Sequence, residues 1–338
     1  MHRYLLFLFA GLSFLLTSCE KEDPAPDSTI QIEQGKGVFV LHEGAFNQGN
    51  ASLGYVRDGE SMMHTRLFAE VNDRPLGDVL QSMSIDGQTG YLVLNNSRTI
   101  EQIDLRTIAL QQQLRVHHAP RYLLPTGAGE ALISTIFSPW LLIADLDPLV
   151  VVDSIDLGHW SEEMIPYQDD VLVAASDHDR VYRMDPNTRS VVDSLPVGYG
   201  AYHLAIDGQE RLWVLCTGNF VDIPASIHVV DLATGATDRS WVFSQSEFPG
   251  KLQVIDNMVY YLNGGLYRMP VDAVSLPTAP WIAGFSYYGY RIDPRDGRIW
   301  MANPIDFQQK GTIDIFDETG TLVESLAADQ VPSDFRFF

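Results

Sequence analysis

Few side chains in this sequence stand where bonds could be made or broken. The segment SDHDR, residues 176–180, offers Asp177, His178 and Asp179 as metal ligands. Glu43 and Asp306 are carboxylates suited to paired acid–base hydrolysis if the fold makes neighbours of their loops. Each has an ordinary alternative, since a lone acidic loop is usually solvated and Glu43 is as well suited to bracing its own loop. His117 and His118 are adjacent, and adjacent side chains of an extended segment point to opposite faces, which argues against a shared metal. No G-x-S-x-G, H-E-x-x-H, P-loop or dinucleotide fingerprint occurs. Cys216 lies inside the strand-like run RLWVLC and reads as a buried structural thiol. These residues favour binding over catalysis, with no metal and no required cofactor.

The chemistry of binding is better represented. HEGAFNQGNAS, residues 42–52, separates the strand-like runs GVFVLH and SLGYV. A tight hairpin needs only about two loop residues; this loop is longer and carries three amides, two glycines and Phe46. Amides supply donors and acceptors without charge, and rings supply rigid apolar area. Together they suit a large, neutral ligand fringed with amides or hydroxyls.

The elements that position these residues follow from the rest of the chain. Its 338 residues are 46% hydrophobic and 20% charged, which marks an ordered globular protein rather than a disordered one. A net charge of −22 excludes a phosphate-neutralising nucleic-acid surface and disfavours anionic lipid headgroups. The start, MHRYLLFLFAGLSFLLTSC, has a short basic region and an apolar run too short to span a bilayer comfortably. It reads as a signal peptide over residues 1–18. Leu16-Thr17-Ser18-Cys19 resembles the lipobox of bacterial lipoproteins, with Cys19 as the lipidated residue. Residues 19–36, acidic and proline-bearing, read as a tether. An acidic cluster directly behind the lipidated Cys resembles the surface-export signal of Bacteroidetes-type lipoproteins and implies the outer membrane, facing the exterior.

From residue 37 onward, short apolar runs alternate with turn signals and no helical period is sustained. One phrase returns: an apolar run, Asp, a turn, another run. It is centred on Asp104, Asp145, Asp185, Asp231 and Asp317, at intervals of 40–46 residues with one repeat skipped. Four strands per repeat at this period predict an all-β, β-propeller fold over residues 37–338. Six complete sets of strands A to D lie between residues 79 and 326, and the first repeat lacks strand A. PSDFRFF, residues 332–338, is an orphan strand A, so the expected fold is a seven-bladed β-propeller whose C-terminal strand completes blade 1.

In such blades the A–B and C–D turns share one face and the B–C and D–A connections the other. The first set consists of short Asp/Gly/Pro/Thr turns with backbone reasons for their composition. The second is longer and varied. It brings together the rings of Phe46, Phe137, Trp140, Phe220, Tyr288 and Phe307. It also gathers the amides of Asn47, Gln48, Asn50, Asn96, Asn219, Asn303 and Gln308, with Asp306 among them. Gln81, Tyr122 and Tyr202, from A strands, complete the candidate ligand-binding set.

Three stretches are similar to one family as a set: VFVLHEGAFNQGNASLGYV, LGDVLQSMSIDGQTGYLVLNNS and SYYGYRIDPRDGRIWMANPIDFQQKGTIDIFDETG. They resemble the YncE-like (YVTN-type) propeller lipoproteins across residues 37–338. His42 stands where that pattern leads one to expect Asn before Glu43-Gly44. The BtuG-type surface lipoproteins of this family bind cobalamin (vitamin B12) and pass it to a TonB-dependent outer-membrane transporter. The resemblance implies a non-enzymatic protein that captures a large nutrient, a corrinoid, and meets the membrane only through its lipid anchor. The alternatives are an interaction scaffold whose same face docks a protein, a glycan binder, and a metal-dependent propeller hydrolase or lactonase using Glu43, Asp177 or Asp306.

Overall fold

The computed structural model describes residues 32–338 apart from Phe285 and Ser286. The expected signal peptide and Cys19 lie outside the described residues. Seven antiparallel sheets follow one another around a central axis, as the repeat predicts. Blades 2 to 7 occupy residues 80–115, 119–156, 161–196, 201–242, 250–283 and 289–330, each with strands A to D in sequence order. Blade 1 is assembled from both parts of the chain. Pro332–Phe337 supplies strand A and pairs with strand B, Gly37–His42, which pairs in turn with strand C, Ser52–Arg57. The register sets Val40 opposite Phe335 and Leu41 opposite Asp334.

Burial explains the composition of each strand. B strands are sandwiched between neighbouring blades and read as nearly continuous apolar runs, as in DVLVAA and RLWVLC. D strands form the outer wall and expose alternate residues, as in TDRSWV. The core lies between blades: Tyr91 and Val93 of blade 2 pack with Leu123 and Ile133 of blade 3. Trp300 and Ile313 of blade 7 pack likewise with Val38 and Phe335 of blade 1. Each fully buried side chain of this kind contributes roughly 1.5–3 kcal/mol.

The recurring Asp is a turn cap. Asp104 Oδ1 accepts hydrogen bonds from the Arg106 and Thr107 amides at 2.9 and 3.0 Å. Asp185, Asp231 and Asp317 do the same for the turns that follow them. One expectation needs correction. MMHTRLF, residues 62–68, reads in the sequence as a strand of the first repeat but is not a full one: His64 makes an isolated bridge to Tyr55, and the chain then enters a short helix, Leu67–Asn72. Phe68 is buried, and Asn72 donates to the Ile108 carbonyl and accepts from the Leu110 amide, tying the helix to blade 2. Contacts with the propeller extend to residues before its first strand. Ile32 is buried, and the Lys36 amide bonds the Phe338 carbonyl.

Candidate functional site

The B–C and D–A connections surround a cavity of about 1020 Å³ at one end of the axis. Its wall is built unevenly. Blades 1, 5, 6 and 7 supply loops, blade 3 supplies only Arg121 and Tyr122, and blade 4 supplies nothing among the described residues.

The blade 1 loop is shaped by left-handed backbone at Gly44, Asn47 and Gly49. Asn50 folds it, accepting from the Ala45 amide at 2.9 Å. Asn50 also donates to Gln330, and Gln330 donates to the Gln308 carbonyl, so one chain of amides joins the loops of blades 1 and 7. Gln48 and Gln308 line the same wall, and their side-chain amides have no hydrogen-bond partner among the described residues. Phe46 and Phe220 are each 66% exposed. Phe220 stacks on Phe248, with centroids 6.0 Å apart, and Phe307 meets Tyr288 edge-on at 5.1 Å. The Phe residues at the B–C loop tips fall on blades 1, 3, 5 and 7. Phe137, Phe220 and Phe307 hold left-handed φ values of 59°, 60° and 63°. That conformation costs a residue with a Cβ roughly 1–2 kcal/mol, so these loops carry strain in order to present rings.

The floor comes from A strands. Arg121 reaches three blades: its Nε donates to Glu162 at 2.8 Å, its Nη2 to the Tyr202 hydroxyl at 2.7 Å, and its Nη1 to Gln81. Burial opposes the guanidinium charge, but the Glu162 carboxylate more than offsets it and holds Arg121 protonated. Burial, then the charge of Glu162, raises the Tyr202 phenol to about 12, so its proton remains available to a ligand. Glu43 sits above this layer. Burial raises its pKa, the charges of Lys251 and Arg121 oppose that, and Tyr288 donates to it at 3.3 Å. Lys251 lines the cavity 6.0 Å from the Tyr288 ring and has no ion pair among the described residues.

Eleven expected residues line this mouth: Phe46, Gln48, Asn50, Gln81, Tyr122 and Tyr202, then Phe220, Tyr288, Asp306, Phe307 and Gln308. Six do not. Asn96 donates to Asn47 at 2.9 Å and to Asp78 at 2.8 Å, a brace between blades 1 and 2. Asn219 caps its own loop by accepting from the Val221, Asp222 and Ile223 amides, and Asn303 accepts from Ile305. Phe137 packs edge-on against Trp160 at 4.8 Å, and Trp140 borders a separate groove with His117 and His118. Short polar side chains in strained loops serve the backbone first, a role that composition does not distinguish from ligand contact. Arg121, Lys251, His203 and Gln330 line the mouth without having been singled out. For Arg121, Lys251 and His203 the available signal was a polar residue inside an A strand, which in a propeller faces the axis; Gln330 closes the D strand of blade 7 and carried no such signal.

The carboxylates and histidines have local duties. Asp306 accepts from the Gln308 and Gln309 amides, which lower its pKa, while burial raises that of Glu43; neither shift originates in the other carboxyl. Asp177 accepts from the Trp160 amide at 2.8 Å, and His178 lies 3.1 Å from Asp179. Cys216 is buried, and burial pushes its thiol up to about 12.

No protein-family model matches the chain, and no curated protein matches it in sequence. Solved structures do match in fold. A quinonprotein alcohol dehydrogenase-like protein from Bacteroides thetaiotaomicron superposes with a TM-score of 0.70 at 14% identity, covering 90% of this chain and 78% of that one. A protein from Lactobacillus plantarum gives 0.67 at 14% identity, over 89% and 99% of the two chains. One of unknown function from Desulfotomaculum acetoxidans gives 0.66 at 10% identity, over 89% and 98%. The class defined is the seven-bladed β-propeller. At such identities the likeness concerns the fold alone.

Proposed function

We propose that this protein is a non-enzymatic binding protein that takes a large, mostly uncharged organic ligand in its mouth, and that the ligand is a corrinoid. The carrying observation is the make-up of the 1020 Å³ cavity, where unpartnered amides at Gln48 and Gln308 stand beside the exposed rings of Phe46, Phe220, Phe248 and Phe307. That volume is at the upper end of ordinary small-molecule pockets. Its wall is held by internal hydrogen bonds before any ligand arrives, which limits the ordering cost of binding. The choice of a corrinoid rests on the resemblance of the blade 1, 2 and 7 segments to YncE-like propellers. Anchoring through Cys19 at the outer membrane and delivery to a TonB-dependent transporter belong to the same proposal, supported by the lipobox-like LTSC.

An interaction scaffold is the second reading, favoured by the Phe137–Trp160 pair, which is exposed and lies outside the mouth. Size-exclusion chromatography with cyanocobalamin separates the readings. Co-elution of the corrin with the protein, and its recovery unchanged with or without a chelator, is the expected result. Elution of a folded protein free of corrin overturns the corrinoid assignment, and recovery of a cleaved product overturns the non-enzymatic one.

A further inference from the structure

The other end of the axis holds a second cavity, about 570 Å³, beyond Tyr122, which borders both. Its floor is built around Asp334 of the closing strand. Arg291 donates to that carboxylate through Nε at 2.8 Å and Nη2 at 3.3 Å, and Arg336 through Nη1 at 2.6 Å. Arg336 Nε is taken by the Met83 carbonyl at 2.7 Å. Two guanidinium groups thus share one carboxylate, and Arg291 Nη1 and Arg336 Nη2 are left without a partner among the described residues. Both side chains remain partly open, 30% and 21% exposed. The other carboxylate on the floor, Glu163, is occupied by His203 at 3.2 Å and the Leu204 amide at 2.8 Å. Around the floor runs an apolar collar made by Ile85, Leu124, Pro125, Ile255, Pro294 and Phe337.

We infer that this cavity is a second binding site, specific for a carboxylate carried on a short aliphatic chain. Planar guanidinium forks match a carboxylate in both geometry and charge. On the floor the charges of Arg291 and Arg336 are balanced by Asp334 and Glu163, so a carboxylate is held at short range by the unpartnered Arg291 Nη1 and Arg336 Nη2 donors and not by a net positive field. The collar supplies apolar area for a chain of a few carbons and offers nothing to a bare inorganic ion. The site adjoins the mouth at Tyr122 but does not require any particular ligand there.

Calorimetric titration of the protein with acetate, butyrate and hexanoate, and with hexanamide as the uncharged control, tests the inference. Hexanoate binds one to one, each added CH₂ tightens binding about three- to fourfold, and hexanamide does not bind in the same range. Ile85→Ala weakens hexanoate and leaves acetate unchanged. Arg291→Lys, which keeps a cation beside Asp334, weakens all three acids about tenfold. Absence of saturable hexanoate binding, equal binding of hexanamide, or indifference of a folded Arg291→Lys protein overturns the site.

Discussion

Gln308 and Asn47 lie on neighbouring loops of the same face, yet they do different things. The Gln308 amide is free to meet a ligand, whereas Asn47 accepts from Asn96 and holds a left-handed φ of 64° that glycine adopts without cost. Gln308→Ala therefore weakens cyanocobalamin binding about three- to tenfold, the worth of one hydrogen bond, and Asn47→Gly leaves it nearly unchanged; parallel calorimetric titrations read both. A second residue, His42, is buried with neither ring nitrogen paired, so it is kept neutral. Burial lowers its pKa from 6.5 to about 4, against the opposing charge of Asp329. The unfolded chain takes up this proton more readily than the folded one, so the stabilisation is full above pH 6.5 and is lost as pH falls towards 4. That loss is on the order of 3 kcal/mol. Denaturant titrations at pH 7 and pH 4 measure it, and His42→Gln flattens this part of the slope whatever its effect on absolute stability.

At the scale of elements, the ring closes where strand A of blade 7 passes the C-terminal strand. Gly289 opens that blade 7 strand, and a methyl group there would overlap the backbone carbonyl of Ser333. Gly250 opens the corresponding strand of blade 6 and faces empty space. Gly289→Ala accordingly destabilises by about 1–3 kcal/mol or more, because the obstacle is backbone. Gly250→Ala stays within about 1 kcal/mol of wild type, on the stabilising side, since alanine restricts the unfolded chain. Guanidinium denaturation midpoints compare them directly. Equal effects would show that the closing strand yields where the fold requires it to be fixed.

For the molecule as a whole, the propeller was legible because its signals are local and repeated. Asp104, Asp185, Asp231 and Asp317 cap equivalent turns, and the orphan strand PSDFRFF is matched by the missing first strand. Blade 1 was read less well. LFAEVN buries Leu67 and Phe68 through a helix anchored by Asn72, and a six-residue helix leaves almost no period to detect. The mouth was legible as a face but not as a wall. Loop composition gathers Asn47, Asn96, Phe137 and Trp140 with the true lining, and only the fold shows that blades 3 and 4 stand back. The floor was missed for the opposite reason: Arg121 is a single charge within a strand, and its meaning depends on Gln81, Glu162 and Tyr202 arriving from three other blades.

The most direct measurement is an equilibrium titration of cyanocobalamin into the wild type and into the double variant Phe220→Ala/Phe248→Ala, followed by the visible absorption of the corrin. These rings stack on each other at the rim of the mouth and are largely exposed, so their removal leaves the core intact. One-to-one saturable binding, weakened at least about tenfold in the variant, is the result the mouth requires. A folded wild type that does not bind, or a variant that binds as tightly as the wild type, would contradict it.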